Sequence, residues 1–210
     1  MLFGLAVPIW LASLFVGVIG SLKIPVTDLL LAFTPLLAGA TLVFRDEGAR
    51  GLVKFLQRAV DLRALAKTPW VLVALLLAPV IYILTVGALR LAGHPWPSEP
   101  DLLRLPLLAA IMFVLAIGEE AGWTGYLTDP MQARFGALGA SVIIALPWWI
   151  GHLPSILQIG GGTSDIAWWL PGAIALRTLI TWLYNNTGRC VAAAVVFHTL
   201  LNVGRWVSYP

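Results

Sequence analysis

The chain has 210 residues, of which 60% are hydrophobic and 11% charged, with a formal net charge of +3 and a mean hydropathy of +0.90. Soluble domains carry roughly 25% charge, so this composition nearly excludes a water-soluble globular protein and points to an all-α, polytopic membrane helix bundle. No Lys/Arg-rich run interleaves with polar surface, which excludes nucleic-acid binding, and the single Cys190 rules out an intrachain disulfide or a cysteine metal cluster.

Apolar segments of spanning length are expected at 3–22, 29–44, 70–91, 105–127, 137–157, 167–184 and 191–207, about seven transmembrane helices in one membrane domain over 1–210. The first lacks a basic leader and is read as a span rather than a cleaved signal. Between the second and third lie Arg45, Arg50, Lys54, Arg58, Arg63 and Lys67, six of the thirteen basic residues. Leu52, Phe55, Leu56, Ala59, Val60 and Ala64 recur there at helical spacing. The segment reads as an amphipathic surface helix in contact with membrane lipids.

The positive-inside rule places this segment, the loop near Arg134 and the turn at 185–189 in the cytoplasm. It puts the 92–104 loop and the turn at Gly160-Gly161-Gly162 outside; Lys23, Arg90, Arg104 and Arg205 dissent. Trp70, Trp96, Trp168, Trp169, Trp206 and Tyr209 lie near span ends, as interfacial anchors do. Asn185-Asn186-Thr187 is a turn rather than a glycosylation site. Short length and short loops suggest a bacterial inner-membrane protein.

Charged or strongly polar groups inside such spans are costly, about 2.5–3.5 kcal/mol each for a charged residue on insertion scales, and mark functional interiors. Glu119 and Glu120 end the fourth span. Adjacent helical residues diverge by ~100°, so one carboxylate faces a reaction centre and the other a neighbouring helix. His152 follows Trp148 by four residues, stacking ring over ring, between Pro147 and Pro154. His198 and Asn202 are again four apart on the last span. Counted from the cytoplasmic ends, Glu119 and His198 lie at similar depth and His152 comes out deeper. A cavity open toward the cytoplasm is the expected arrangement.

Three motifs in order resemble the CAAX-protease and bacteriocin-processing (CPBP) family of intramembrane peptidases, which includes the type 2 CAAX prenyl proteases. The Glu119-Glu120 pair is followed by Trp123, Gly125, Tyr126 and Leu127. Trp148 precedes His152 by four, and His198 precedes Asn202 by four; 181–185 is also similar. The resemblance covers about 105–202, within a protease-like core of 105–207, and leaves 1–104 as scaffold. One departure stands out: the family carries Arg four residues after the second Glu, and this chain has Thr124. Arg177, unusual within the sixth span, is the candidate substitute cation for Glu120.

The resemblance implies an endopeptidase acting on a membrane-associated or lipidated peptide. Glu119 would be the general base, His152 would orient the water, and His198 and Asn202 would donate to the oxyanion; Glu120, Thr124, Trp148 and Arg177 would support them. Water activation without metal is preferred. A divalent ion such as zinc on Glu119, His152 and His198 stays open. The alternative functions are a non-proteolytic scaffold or immunity protein, or a proton or ion carrier using the Glu and His groups as a relay. The identity of the substrate, its prenylation and the oligomeric state are not legible in the sequence.

Overall fold

A computed structural model describes residues 2–12, 15, 17–19, 24–94 and 102–208. Among these the chain is a helix bundle: α1 (Leu2–Ala12), α2 (Val26–Leu31), α3 (Thr34–Ala59), α4 (Leu62–Ala66), α5 (Val71–Leu91), α6 (Leu105–Gly122), α7 (Asp129–Gly151), α8 (Leu153–Gln158), α9 (Thr163–Asn186) and α10 (Val191–Ser208). Four helical stretches are long and apolar enough to cross a membrane: Val26–Ala59, Val71–Leu91, Leu105–Gln158 and Thr163–Asn186; Val191–Val207 is a shorter apolar helix. The Leu105–Gln158 stretch holds two of the expected spans, folded back at Gly136, whose φ of 72° only glycine adopts cheaply. The chain is an integral membrane helix bundle.

The first expected span is corrected. Helix α1 covers only 2–12, and Val18–Ile19 pairs antiparallel with Ile24–Pro25, Val18 opposite Pro25. Gly17 and the β-branched Val18 and Ile19 favour extended backbone over a helix. Residues 13, 14 and 20–23, including Lys23, lie outside the described residues, as do Trp96 and Tyr209.

The surface helix is the second half of α3, which bends at Gly48 (φ 67°), followed by the short α4, capped by the Asp61 side chain on the Ala64 N–H. Phe55 and Ala59 are buried against the bundle, whereas Leu56 and Val60 are exposed. Arg58 ties this helix down: its guanidinium donates to the Gly125 carbonyl (3.3 Å) and the Tyr184 hydroxyl (3.1 Å). Tyr184 in turn donates to Asp129 (3.0 Å), which pairs with Arg189 at 3.6 Å. The basic segment, the start of α7 and the end of α9 thus share one end of the bundle.

Helix α6 is central, packed against α3 and α10. Gly118 and Gly122, one turn apart, let α3 approach closely: a Cβ on Gly118 would lie 2.6 Å from the Ala32 carbonyl oxygen, and one on Gly122 would collide with the Pro35 backbone. This is the small-residue packing that membrane helices use when lipid gives no hydrophobic drive to associate. After Gly122 the helix widens into a π-helical turn, Trp123–Thr128, with the Thr128 hydroxyl donating to the Trp123 carbonyl five residues back. Such turns inside α-helices are frequent at functional sites.

Candidate active site

The adjacent carboxylates separate as helical geometry demands. Glu120 is fully buried and points into the bundle. Its Oε1 accepts from His198 Nδ1 (2.7 Å) and from Arg177 Nη2; its Oε2 accepts from Arg177 Nη1 (3.2 Å) and from the Thr124 hydroxyl. Four donors fill the roughly four acceptor positions of an ionised carboxylate, and the guanidinium meets it fork to fork. Arg177, 2% exposed, therefore stands beside Glu120 from α9, and Thr124 adds a hydrogen bond from the turn after α6.

Glu119 turns the other way. It is 9% exposed and lines a cavity of about 900 Å³ together with Trp148, His152, His198 and Asn202. Its Oε2 accepts from the Trp148 indole N–H, and among the described residues Oε1 has no hydrogen-bond partner. Trp148, buried on α7, is the hub of the arrangement. The His152 ring lies edge-on to it at 5.2 Å and the His198 ring at 5.7 Å, while the Arg177 guanidinium stacks over it at 4.3 Å. One indole thus touches the two imidazoles, the Glu119 carboxylate and the Arg177 cation.

Both cavity histidines have Nδ1 engaged. His152 Nδ1 lies 2.8 Å from the Trp148 carbonyl and His198 Nδ1 lies on Glu120. A carbonyl or carboxylate partner can only accept, so Nδ1 carries the proton in both rings and Nε2 is the nitrogen left for chemistry. His152 sits where α7 ends and α8 begins, a break set by Pro154 at the start of α8. Asn202, one turn beyond His198 on α10, lines the cavity and makes no side-chain hydrogen bond among the described residues.

Three further residues belong to the cavity and were not singled out from sequence. Asp28 on α2 accepts from the Ser155 hydroxyl and lies within electrostatic reach of His152, Glu119 and Arg205. Trp169, read as an interfacial anchor, instead packs beside Trp148 (5.3 Å) and His152 (5.5 Å). An acid at the start of an expected span was the one available signal for Asp28; nothing in the spacing marks Ser155 or Trp169.

The lining residues give the cavity its direction along the bundle. Ile24, Gly160, Gly161, Asp165, Arg205 and Trp206 line its outer part. Gly160, Gly161 and Asp165 lie at the start of α9, whereas Arg58 and Arg189 gather near its end, some 20 residues or about 30 Å along the helix. The outer part of the cavity therefore lies toward the end of α9 remote from the basic segment. The depth of His152 follows: it is far from the Arg134 end because it belongs to the opening, with Glu119 and His198 at the floor.

A metal ion would need three or four converging donors. Among the described residues, no three His, Cys, Asp or Glu side chains are grouped in that way. Glu119, His152 and His198 each have one donor or acceptor atom committed to Trp148 or Glu120.

Residues 101–204 match the family model described as Type II CAAX prenyl endopeptidase Rce1-like. The chain is also similar to the CAAX prenyl protease 2 of Methanococcus maripaludis, with 25% identity over 103 residues, covering 45% of this chain and 38% of that protein. The similarity thus spans well under half of that relative's length.

Proposed function

From the premise that residues 101–204 form a domain of the type II CAAX prenyl endopeptidase family, we propose that this chain is an intramembrane endopeptidase that hydrolyses a peptide bond with water activated by Glu119 and His152. The observation that supports it best is the splitting of the carboxylate pair. Glu120 is saturated and buried in an ion pair, while Glu119 faces the cavity with one oxygen uncommitted.

In this mechanism a water lies between Glu119 Oε1 and His152 Nε2. Glu119 takes its proton as the oxygen attacks the scissile carbonyl, a general-base role worth about 10²–10⁴ in rate. Trp148 holds the other oxygen and fixes the direction of the basic lone pair. The Asn202 amide donates to the oxyanion, as does His198 whenever its Nε2 also carries a proton, an interaction worth roughly 2.7–4 kcal/mol per donor. Glu120 fixes the His198 ring through Nδ1, and Arg177 with Thr124 holds Glu120 in place. Collapse of the tetrahedral species returns the proton from Glu119 to the departing amine, and no bond to the enzyme forms. The substrate is a membrane-associated or lipidated peptide, whose apolar part suits a cavity walled by leucine, isoleucine and tryptophan.

A fluorogenic panel of prenylated and unmodified peptides, assayed in detergent with and without chelator, tests this. Wild type should cleave at least one member with chelator present, and Glu119→Gln should not. Turnover by neither protein on any peptide would leave the scaffold reading; chelator-sensitive turnover would contradict the metal-free mechanism.

A further inference from the structure

One carboxylate in the cavity has no task in the hydrolysis. Asp28 stands on α2, near the start of the apolar stretch Val26–Ala59, where an ionisable group is costly and marks a function or a partner. One of its oxygens accepts from the Ser155 hydroxyl, and among the described residues its side chain makes no other hydrogen bond and no ion pair. Arg205 lies within electrostatic reach but is exposed on the last turn of α10. Holding α2 against α8 does not call for a charge. Beside Asp28, the Thr27 hydroxyl donates to Gln158 Oε1 at 2.7 Å and joins the same two helices with neutral groups.

Asp28 is also close to the reacting groups. Ser155, which fixes its carboxylate, follows His152 by three residues at the start of α8, about 4.5 Å along a helix axis. An extended peptide advances about 3.3 Å per residue, so a side chain that meets Asp28 belongs to a residue within about two of the bond held at Glu119 and His152. The charges around that peptide are unequal. Among the described lining residues Asp28, Glu119 and Asp165 are acids, and Arg205 is the one permanent cation; Arg177 is taken up by Glu120. A cleft lined mainly by one sign of charge between low-dielectric walls concentrates ligands of the other sign.

We propose that Asp28 is a specificity residue of the cavity, whose carboxylate receives a lysine or arginine side chain of the substrate within about two residues of the bond to be cut. The inference rests on the peptidase reading for what happens next to it, and it deepens that reading: the substrate is an apolar peptide with a basic residue beside the cleavage point.

Binding tests it without hydrolysis. Labelled leucine-rich peptides, identical but for one central Lys, Gln or Glu, are titrated in detergent against Glu119→Gln, which keeps them intact, and followed by fluorescence anisotropy. The Lys peptide should bind about ten-fold more tightly than the Gln peptide, or about 1.4 kcal/mol, and the Glu peptide most weakly. Adding Asp28→Asn, which keeps an acceptor for Ser155 and removes the charge, should bring Lys and Gln within about two-fold of each other, whereas adding Asp28→Glu should keep the order. Equal binding of Lys and Gln by the protein that retains Asp28, an order unchanged by Asp28→Asn, or binding of no peptide at all overturns the proposal. Should Asp28→Asn not fold, the order shown by the proteins with Asp28 and with Asp28→Glu still decides. Binding in the expected order without turnover by wild type would remove the peptidase reading and leave Asp28 its role; turnover with no order in binding would do the reverse.

Discussion

Arg177 offers the sharpest perturbation, because it supplies two of the four hydrogen bonds to Glu120 and a permanent positive charge fixed beside it. In Arg177→Met the carboxylate keeps Thr124 and His198 but loses its counter-ion at a site with no exposure to solvent. Removing one partner of a buried ion pair costs about 3–5 kcal/mol, against a total stability of about 5–15 kcal/mol for a typical domain. At about 2–4 °C per kcal/mol for a chain of this size, the apparent Tm in detergent should fall by roughly 6–20 °C. The loss has a specific remedy. Thr124 stands four residues after Glu120, where the motif of the resembled family has arginine, so Thr124→Arg in the Arg177→Met background should return a guanidinium to Glu120 and recover much of the lost Tm. Arg177→Lys should fall between, since an ammonium keeps the charge but not the fork or the stacking on Trp148. Unfolding of Arg177→Met at the wild-type temperature, measured by intrinsic fluorescence or by loss of monodispersity on heating, would refute the reasoning.

Four other outcomes follow. Trp148→Phe keeps a ring between the histidines but removes the N–H that holds Glu119, so peptide hydrolysis should drop in kcat with KM little changed. Ser155→Ala should retain turnover, because Ser155 serves Asp28 and no acyl-enzyme forms; complete loss would point to a covalent route. Gly122→Ala should lower the yield of folded protein, since its Cβ collides with the Pro35 backbone, whereas Gly87→Ala, with open space around it, should not. Burial pushes the Cys190 thiol up from its ordinary range. The thiol form therefore dominates at neutral pH, and alkylation of wild type should be slow there and accelerate as pH rises past the usual thiol range, followed by mass spectrometry.

Much of this molecule can be read from the sequence because membrane insertion penalises polar groups and makes each one conspicuous. Glu119, Glu120, His152, His198 and Asn202 stood out against apolar spans, and the ~100° step of a helix foretold that the carboxylates would part. Arg177 was legible for the same reason, as a cation with no place in lipid unless paired. Asp28 was less visible, since an acid near a span end is ordinary, and only the folding of α2 over α8 brings it to Ser155. Trp169 was misplaced because an aromatic residue near a span end has the same sequence signature whether it faces lipid or a cavity. The depth of His152 is blurred in the sequence by the undefined start of the fifth span; Gly136 sets that start through a backbone angle the sequence does not announce. The short β pairing at Val18–Pro25 hid inside an apolar run long enough to be a helix.

The central claim is that Glu119 and His152 act on one shared water. A double-mutant cycle on kcat/KM for a cleaved peptide, using Glu119→Gln, His152→Asn and the pair, tests it most directly. Groups acting as a unit are strongly non-additive, so the double variant should be scarcely slower than the worse single one. Losses that multiply, each substitution costing the same factor whether or not the other is present, would show independent roles and contradict the account.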